Sequence, residues 1–243
     1  MKQKTYNLCI LLNIILLIFI IYKLRLFDYL LNYDNKLCYN LKIYHYNFTD
    51  TKLTNISNKN DYIVNTPNLL LVGSTHGNEP AGTIAVREFM KNIPKLKRGS
   101  VTIIEAVNPC GIINDTRESP NFGLNKIGGD INRTYPAKIT GKIGSKQAQT
   151  VIKYLNIANY VIDFHEGYSW HKMNKSSVGA TLTPNKYKFK DFKTSIDISE
   201  NVVNTLNQSI VDEQKKWGIR NNLNCDIKRT LNCYSYLLKK PYV

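Results

Sequence analysis

Two imidazoles and a carboxylate are the groups in this sequence best placed to do chemistry. Residues Gly73 to Gly82 read Gly-Ser-Thr-His-Gly-Asn-Glu-Pro-Ala-Gly, with His76 and Glu79 set among glycines directly after the apolar run Leu69–Val72. A second histidine, His165, follows the apolar stretch Tyr160–Phe164. Two strand ends would then deliver three ligands to one point, at the edge where open α/β sheets place their sites. Two His and one carboxylate are a standard catalytic set for zinc, which keeps a fourth position for water or substrate. Such an ion polarises a carbonyl and makes water a nucleophile near neutral pH. Glycines at 73, 77 and 82 permit turns that a β-carbon would hinder, letting the loop wrap close to an ion. Taken alone, an H-x-x-E spacing suits a hydrogen-bonded structural histidine as well as a ligand pair.

The elements that must position these residues alternate between strand and helix from Asn68 onward, the pattern of an α/β sheet with crossover connections. Leu69–Val72, Val101–Val107 and Tyr160–Phe164 read as strands. After Pro80, a residue favoured at a helix start, Ala81, Ile84, Ala85 and Phe89 recur at helical spacing. Ser145 is placed to cap a second helix, in which Ala148, Val151, Ile152 and Leu155 repeat. A third helix is expected over roughly 198–217, with Ile198, Val202, Leu206 and Ile210 on one face. There is no internal repeat.

At 243 residues the chain can bury one substantial core. Its formal charge of +15 would ordinarily suggest nucleic acid. The basic residues are spread from end to end amid Asn, Ile and Tyr, with no helical or aromatic-interleaved basic motif, so no nucleic-acid partner is expected. What the charge does favour is an acidic substrate.

The N-terminus differs from the rest. Leu8–Tyr22 is apolar except for Asn13 and is flanked by Lys2, Lys4, Lys23 and Arg25. A membrane span needs about 20 residues, or about 17 at the short end, so the segment is marginal. No small-x-small cleavage site follows Ile21, which favours an uncleaved single-pass anchor over a removed signal. The flanking charges are too balanced to fix its orientation. The expected organisation is an anchor over 1–25, a polar tether leading into the domain over 26–63, and a folded domain over 64–243. Five cysteines show no C-x-x-C pair and no zinc-finger spacing. Free thiols are the default, with a Cys225–Cys233 bridge open to a domain facing an oxidising lumen.

Four ordered segments extend the site. Ser74-Thr75-His76-Gly77-Asn78-Glu79-Pro80-Ala81-Gly82 resembles the zinc-binding signature of the succinylglutamate desuccinylase and aspartoacylase family, a branch of the zinc carboxypeptidase superfamily. Asn108-Pro109-Cys110-Gly111 with Thr116-Arg117, Asp130-Ile131-Asn132-Arg133-Thr134-Tyr135-Pro136, and Asp163-Phe164-His165-Glu166-Gly167 resemble its later elements, in the family's order. The resemblance runs from about 68 to 167, with a continuation through 177–184. It implies an α/β fold with a mixed twisted sheet flanked by helices, and one zinc ion held by His76, Glu79 and His165. It further implies that Arg117 stabilises the oxyanion and that Asn132 and Arg133 bind a substrate carboxylate. The substrate class so implied is an acylated amino acid or a peptide end, with deacylation favoured by the Gly77-Asn78 pair.

The family's general-base glutamate, supplied by a later strand, has no clear counterpart among the seven glutamates. Glu166 is near the metal, but adjacency to His165 sends its side chain in another direction. Leu237 to Val243 reads as the lead-in to the strand that would carry this glutamate. The expectation therefore divides between a hydrolase whose sequence continues and a catalytically impaired zinc-binding membrane protein. Asp163 is expected either to support the site or to cap its strand. His45 reads as structural, while His171, Tyr168 and Trp170 read as cleft-lining candidates.

Overall fold

The computed structural model describes residues 38, 40–50, 52–57, 64–119, 129–136, 143–167, 179–186, 195–220, 225 and 229–243. At its centre is a five-stranded sheet of β1 (Ile43–Asn47), β2 (Thr54–Asn55), β3 (Asn68–Gly73), β4 (Ser100–Ile104) and β5 (Tyr160–Phe164). The order is β2-β1-β4-β3-β5, with β3 parallel to β4 and β5, and β1 antiparallel to β2 and β4. Among the described residues the sheet is joined by α1 (Ala81–Lys91), α2 (Pro109–Ile113), α3 (Ile143–Ile157), α4 (Ser195–Asn207) and α5 (Leu231–Leu237). A second, two-stranded parallel sheet joins β6 (Thr181–Leu182) to β7 (Gly218–Ile219).

Strand β3, interior to the sheet, explains its own composition. Leu70 and Val72 join Val161 beneath Val151, Tyr154 and Leu155 of α3, whereas Leu71 turns the other way, to Val86 of α1 with Val101 and Ile103. A strand covered on both faces reads as one unbroken apolar run, so the expected α/β sheet flanked by helices is what forms. The expected hydrophobic helix over 1–25 lies outside the described residues; among those described, no helix is long and apolar enough to cross a membrane.

Several boundaries differ from the sequence reading, each for a visible reason. Residues 43–55, within the stretch read as a tether, supply β1 and β2, with Ile43 and Ile56 buried in the main core. Helix α3 starts at Ile143, ahead of Ser145. Strand β4 ends at Ile104; beyond it Glu105 N still bonds Lys42 O in register with β1, and Val107 N turns to Gly73 O. Helix α4 stops at Asn207 and not near Trp217, since the Asn207 amide folds the chain back, accepting from Trp217 N at 2.7 Å and donating to Trp217 O at 3.0 Å. Residues 231–237 form a helix, capped by Thr230 Oγ1 on Cys233 N, before the strand-like residues begin.

The free-thiol expectation is overturned. Cys38 bonds Cys110 and Cys225 bonds Cys233, with Cα atoms 5.2 and 5.3 Å apart, well inside disulfide reach. The first pair joins residues 72 apart in sequence, a closeness only the sheet creates.

Candidate metal centre

The loop leaving β3 is stapled to the helix that follows. Ser74, at a left-handed φ of 37°, donates from Oγ to Glu79 O at 2.8 Å and accepts from Thr83 N at 2.9 Å. The glycines serve loop-to-loop contact more than approach to an ion. A β-carbon at Gly77 would lie 2.0 Å from the backbone of Gly111, and one at Gly82 would lie 2.6 Å from Phe164 O. The Asn108 side chain accepts from Gly111 N at 2.9 Å, capping α2. Gly77 N and Asn108 Nδ2 both reach Arg117 O. The first two sequence segments are thus one packed unit, and together they aim Arg117 inward.

His76, Glu79 and His165 come together, each offering one ligand atom, with the three atoms within 4.8 Å of one another. Glu79 is the hub. Its Oε1 lies 2.8 Å from His76 Nδ1 and accepts from Arg117 Nη1 at 2.8 Å, while its Oε2 lies 2.7 Å from His165 Nδ1 and accepts from Glu166 N at 3.2 Å. The two rings are tilted by 50° with centroids 4.8 Å apart.

Each imidazole turns its other nitrogen to an aspartate. His76 Nε2 is 2.9 Å from Asp130 Oδ1, and His165 Nε2 is 3.1 Å from Asp163 Oδ2. A carboxylate there fixes the tautomer that keeps Nδ1 free to ligate, the usual outer support of a metal-binding histidine. Two so supported nitrogens and one carboxylate oxygen suit zinc in both donor type and number.

Charge in the cluster follows from the same contacts. Burial disfavours ionisation of Glu79 and Asp130, but hydrogen bonds from the imidazoles outweigh it; Glu79 is held far below the usual carboxylate range, and Asp130 is lowered to about 2. For His165 burial opposes the cation, yet Asp163 and Glu79 push its pKa up to about 10. His76 is raised too, as Asp130 and Glu79 overcome its burial.

Of the remaining expected site residues, Arg117 joins the cluster, bonding Glu79 and, from Nη2 at 3.3 Å, Asp130. Asn132 does not present its amide oxygen for binding: Oδ1 accepts from Leu231 N at 2.8 Å and so seats α5. Arg133 is exposed, bonds the Asn132 carbonyl, and reaches the cluster through its charge on Asp130. The Glu166 carboxylate accepts from Ala81 N at 3.1 Å, at the start of α1. His45 is buried in β1, its Nδ1 3.1 Å from Thr102 Oγ1. His171, Tyr168 and Trp170 lie outside the described residues. Sequence reasoning missed Asp130 as a partner of His76, although Asp130 opens one of the segments it singled out.

The mixed sheet, its flanking helices and the His-Glu-His group at the strand ends define an α/β protein with a candidate metal site. Residues 65–187 match the succinylglutamate desuccinylase/aspartoacylase catalytic domain, and the chain belongs to that family. No curated protein matches it. Among solved structures it is similar to the tripeptide-bound cell shape determinant Csd4 of Helicobacter pylori, with 17% identity and a TM-score of 0.64 over 83% of this chain and 48% of that one. The mDAP-bound form of the same protein, described as a D,L-carboxypeptidase, gives 18% identity and a TM-score of 0.60 over 72% and 44%. A succinylglutamate desuccinylase/aspartoacylase from Rhodobacter sphaeroides is 33% identical over 41% of this chain and 29% of that one, with a TM-score of 0.36. The chain spans about half the length of the Csd4 structures.

Proposed function

We propose that the chain carries a zinc-dependent site that hydrolyses an amide bond in an acylated amino acid or at the end of a peptide. The observation that carries this reading is the convergence of His76, Glu79 and His165, with a separate aspartate behind each imidazole. Zinc, when bound, supplies Lewis acidity toward a carbonyl and a water nucleophile at neutral pH. The protein's own groups do the rest. Asp130 and Asp163 hold the rings in register, and Arg117, whose side chain is 39% exposed, offers N–H donors where charge would develop on the carbonyl oxygen. Arg133 stands exposed beside Asp130, and its planar fork suits a substrate carboxylate. The family match supports deacylation, and the Csd4 structures, bound to a tripeptide and to mDAP, are consistent with a peptide end. The test is release of free amino acid from acyl-amino acids and short peptides by the purified zinc-supplemented protein. Equal turnover by His76→Ala would refute the assignment.

One observation favours the alternative of a zinc-binding protein with impaired catalysis. Among the described residues no glutamate is free at the site. Glu79 is a ligand candidate, Glu166 is committed to Ala81 N, Glu105 pairs with Arg87, and Glu88, Glu118, Glu200 and Glu213 are exposed. Zinc content does not separate the two readings; turnover does.

The two disulfides bear on location. Such bonds persist in oxidising compartments, and we infer on that ground a domain outside the cytosol, with the apolar segment 8–22 as its tether. Thiol labelling of intact cells expressing a Cys9→Ser variant tests this: the four paired cysteines should react only after reduction, and labelling of any of them without reductant would contradict it.

A further inference from the structure

The segment after α5 is held against β5 by more hydrogen bonds than a sheet edge requires. Val161 N bonds Pro241 O, Val243 N bonds Val161 O, and Asp163 N bonds Val243 O, each at 3.0 Å. On its other side Asn185 N reaches Tyr242 O at 3.1 Å, and Asn185 Nδ2 reaches Lys240 O at 2.7 Å. Lys240 Nζ donates to Ala158 O at 2.6 Å, at the end of α3. These contacts fix Tyr242, which is only 5% exposed, beneath the site, with its ring in the main core.

Its hydroxyl ends on Asp163. Tyr242 Oη donates to Asp163 Oδ2 at 2.9 Å, the same oxygen that faces His165 Nε2 at 3.1 Å, while Thr75 Oγ1 donates to Oδ1 at 3.2 Å. The Asp163 side chain has no solvent exposure, so water cannot replace a missing donor. A buried carboxylate that loses one donor must rotate or stay under-bonded, and either outcome moves the partner that shares its oxygen. Thr75 belongs to the His76 loop and Tyr242 to the far end of the chain, so Asp163 joins both to His165.

We propose that Tyr242 is a positioning residue for His165, acting through Asp163, so that residues 241–243 are a working part of the metal centre. The zinc part of this claim rests on the metal reading given above; the ring-orientation part does not. The experiment compares the full-length wild type with Tyr242→Phe, which keeps the buried ring and removes only the hydroxyl. Two quantities are measured: zinc affinity by competition with a chromophoric chelator, and the ring resonances of histidine-labelled protein. Zinc should bind about tenfold more weakly, the low end of the effect of losing an outer partner of a ligand. In chelator, the His165 ring signals should shift or broaden while those of His45 stay in place. Asp163→Asn, which interrupts the chain at its middle, should reproduce both changes and serves if the phenylalanine variant does not fold. Unchanged affinity together with superimposable His165 signals overturns the proposal. A wild type that binds no stoichiometric zinc sinks the metal reading instead, and the ring signals then decide the hydrogen-bond chain alone.

Discussion

The two histidines of the cluster are supported in opposite ways. His76 is 2% exposed and sits in a loop stapled by its own neighbours, Ser74, Glu79 and Thr83, within ten residues of sequence. His165 is more open, its side chain 30% exposed, and its support comes from strand β5, from the loop at Thr75 and from Tyr242, which lie 88 and 79 residues from Asp163. The loop that carries His76 is a local fold, whereas the Asp163 carboxylate behind His165 is a meeting point of remote segments. Each half of the site should report damage to its own supports, the His76 loop to changes in α2 and His165 to changes in residues 241–243.

The largest effect expected is common to both halves. His76→Ala and His165→Ala should each abolish stoichiometric zinc, measured on dialysed protein, because two ligands leave the ion too exposed to compete with buffer. The halves separate in the next test. Loss of the Cys38–Cys110 bond in Cys110→Ser should lower unfolding free energy by about 4 kcal/mol from loop-closure entropy, read by urea denaturation. This bond anchors α2, on which Gly77 and hence the His76 loop rests, so the thiol variant should disturb His76 ring signals more than those of His165. Gly77→Ala sharpens the contrast. Its β-carbon would meet the Gly111 backbone, which cannot yield as a flexible side chain would, and a loss of about 3 kcal/mol is expected. Gly129→Ala, with nothing within 4 Å of the added carbon, should change stability by less than about 0.5 kcal/mol.

The same division marks what could be read in the sequence. The strand 69–72, the helix after Pro80 and the H-x-x-E loop were legible because a short window holds both the hydrophobic period and the turn residues that end it. The convergence of His165 on that loop was legible from the ends of two expected strands and from the order of the resembling segments. Nothing local announced that Asn132 would seat α5, that Cys38 would find Cys110, or that the apolar residues 237–243 would split between the end of a helix and a strand pairing with β5. Each depends on packing between elements far apart in sequence, where many partners are chemically equivalent. The edge strands β1 and β2 were missed for a different reason. Their Tyr-, His- and Asn-rich composition hides burial that only β4 provides, as at His45 against Thr102.

A smaller effect than loss of the Cys38–Cys110 bond separates the two halves by pH. Asp130 has its pKa lowered from 3.8 to about 2, so its contribution is fully present above pH 4 and is lost as pH falls through 2. That displacement corresponds to about 2 kcal/mol, and the side chain is 16% exposed, so solvent screening trims it only modestly. His165 runs the other way. Its pKa is raised from 6.5 to about 10, so its contribution is complete below pH 6.5 and fades as pH rises through 10. Chelator-treated protein should therefore lose stability at both extremes, in urea melts at pH 5, pH 2.5 and pH 10. Asp130→Asn should shrink the acid limb, the rest of which belongs to Glu79, while leaving the alkaline limb in place, and Asp163→Asn should flatten chiefly the alkaline one. If a single substitution removes both limbs, the two halves of the site titrate as one network, and the division between local and remote support fails.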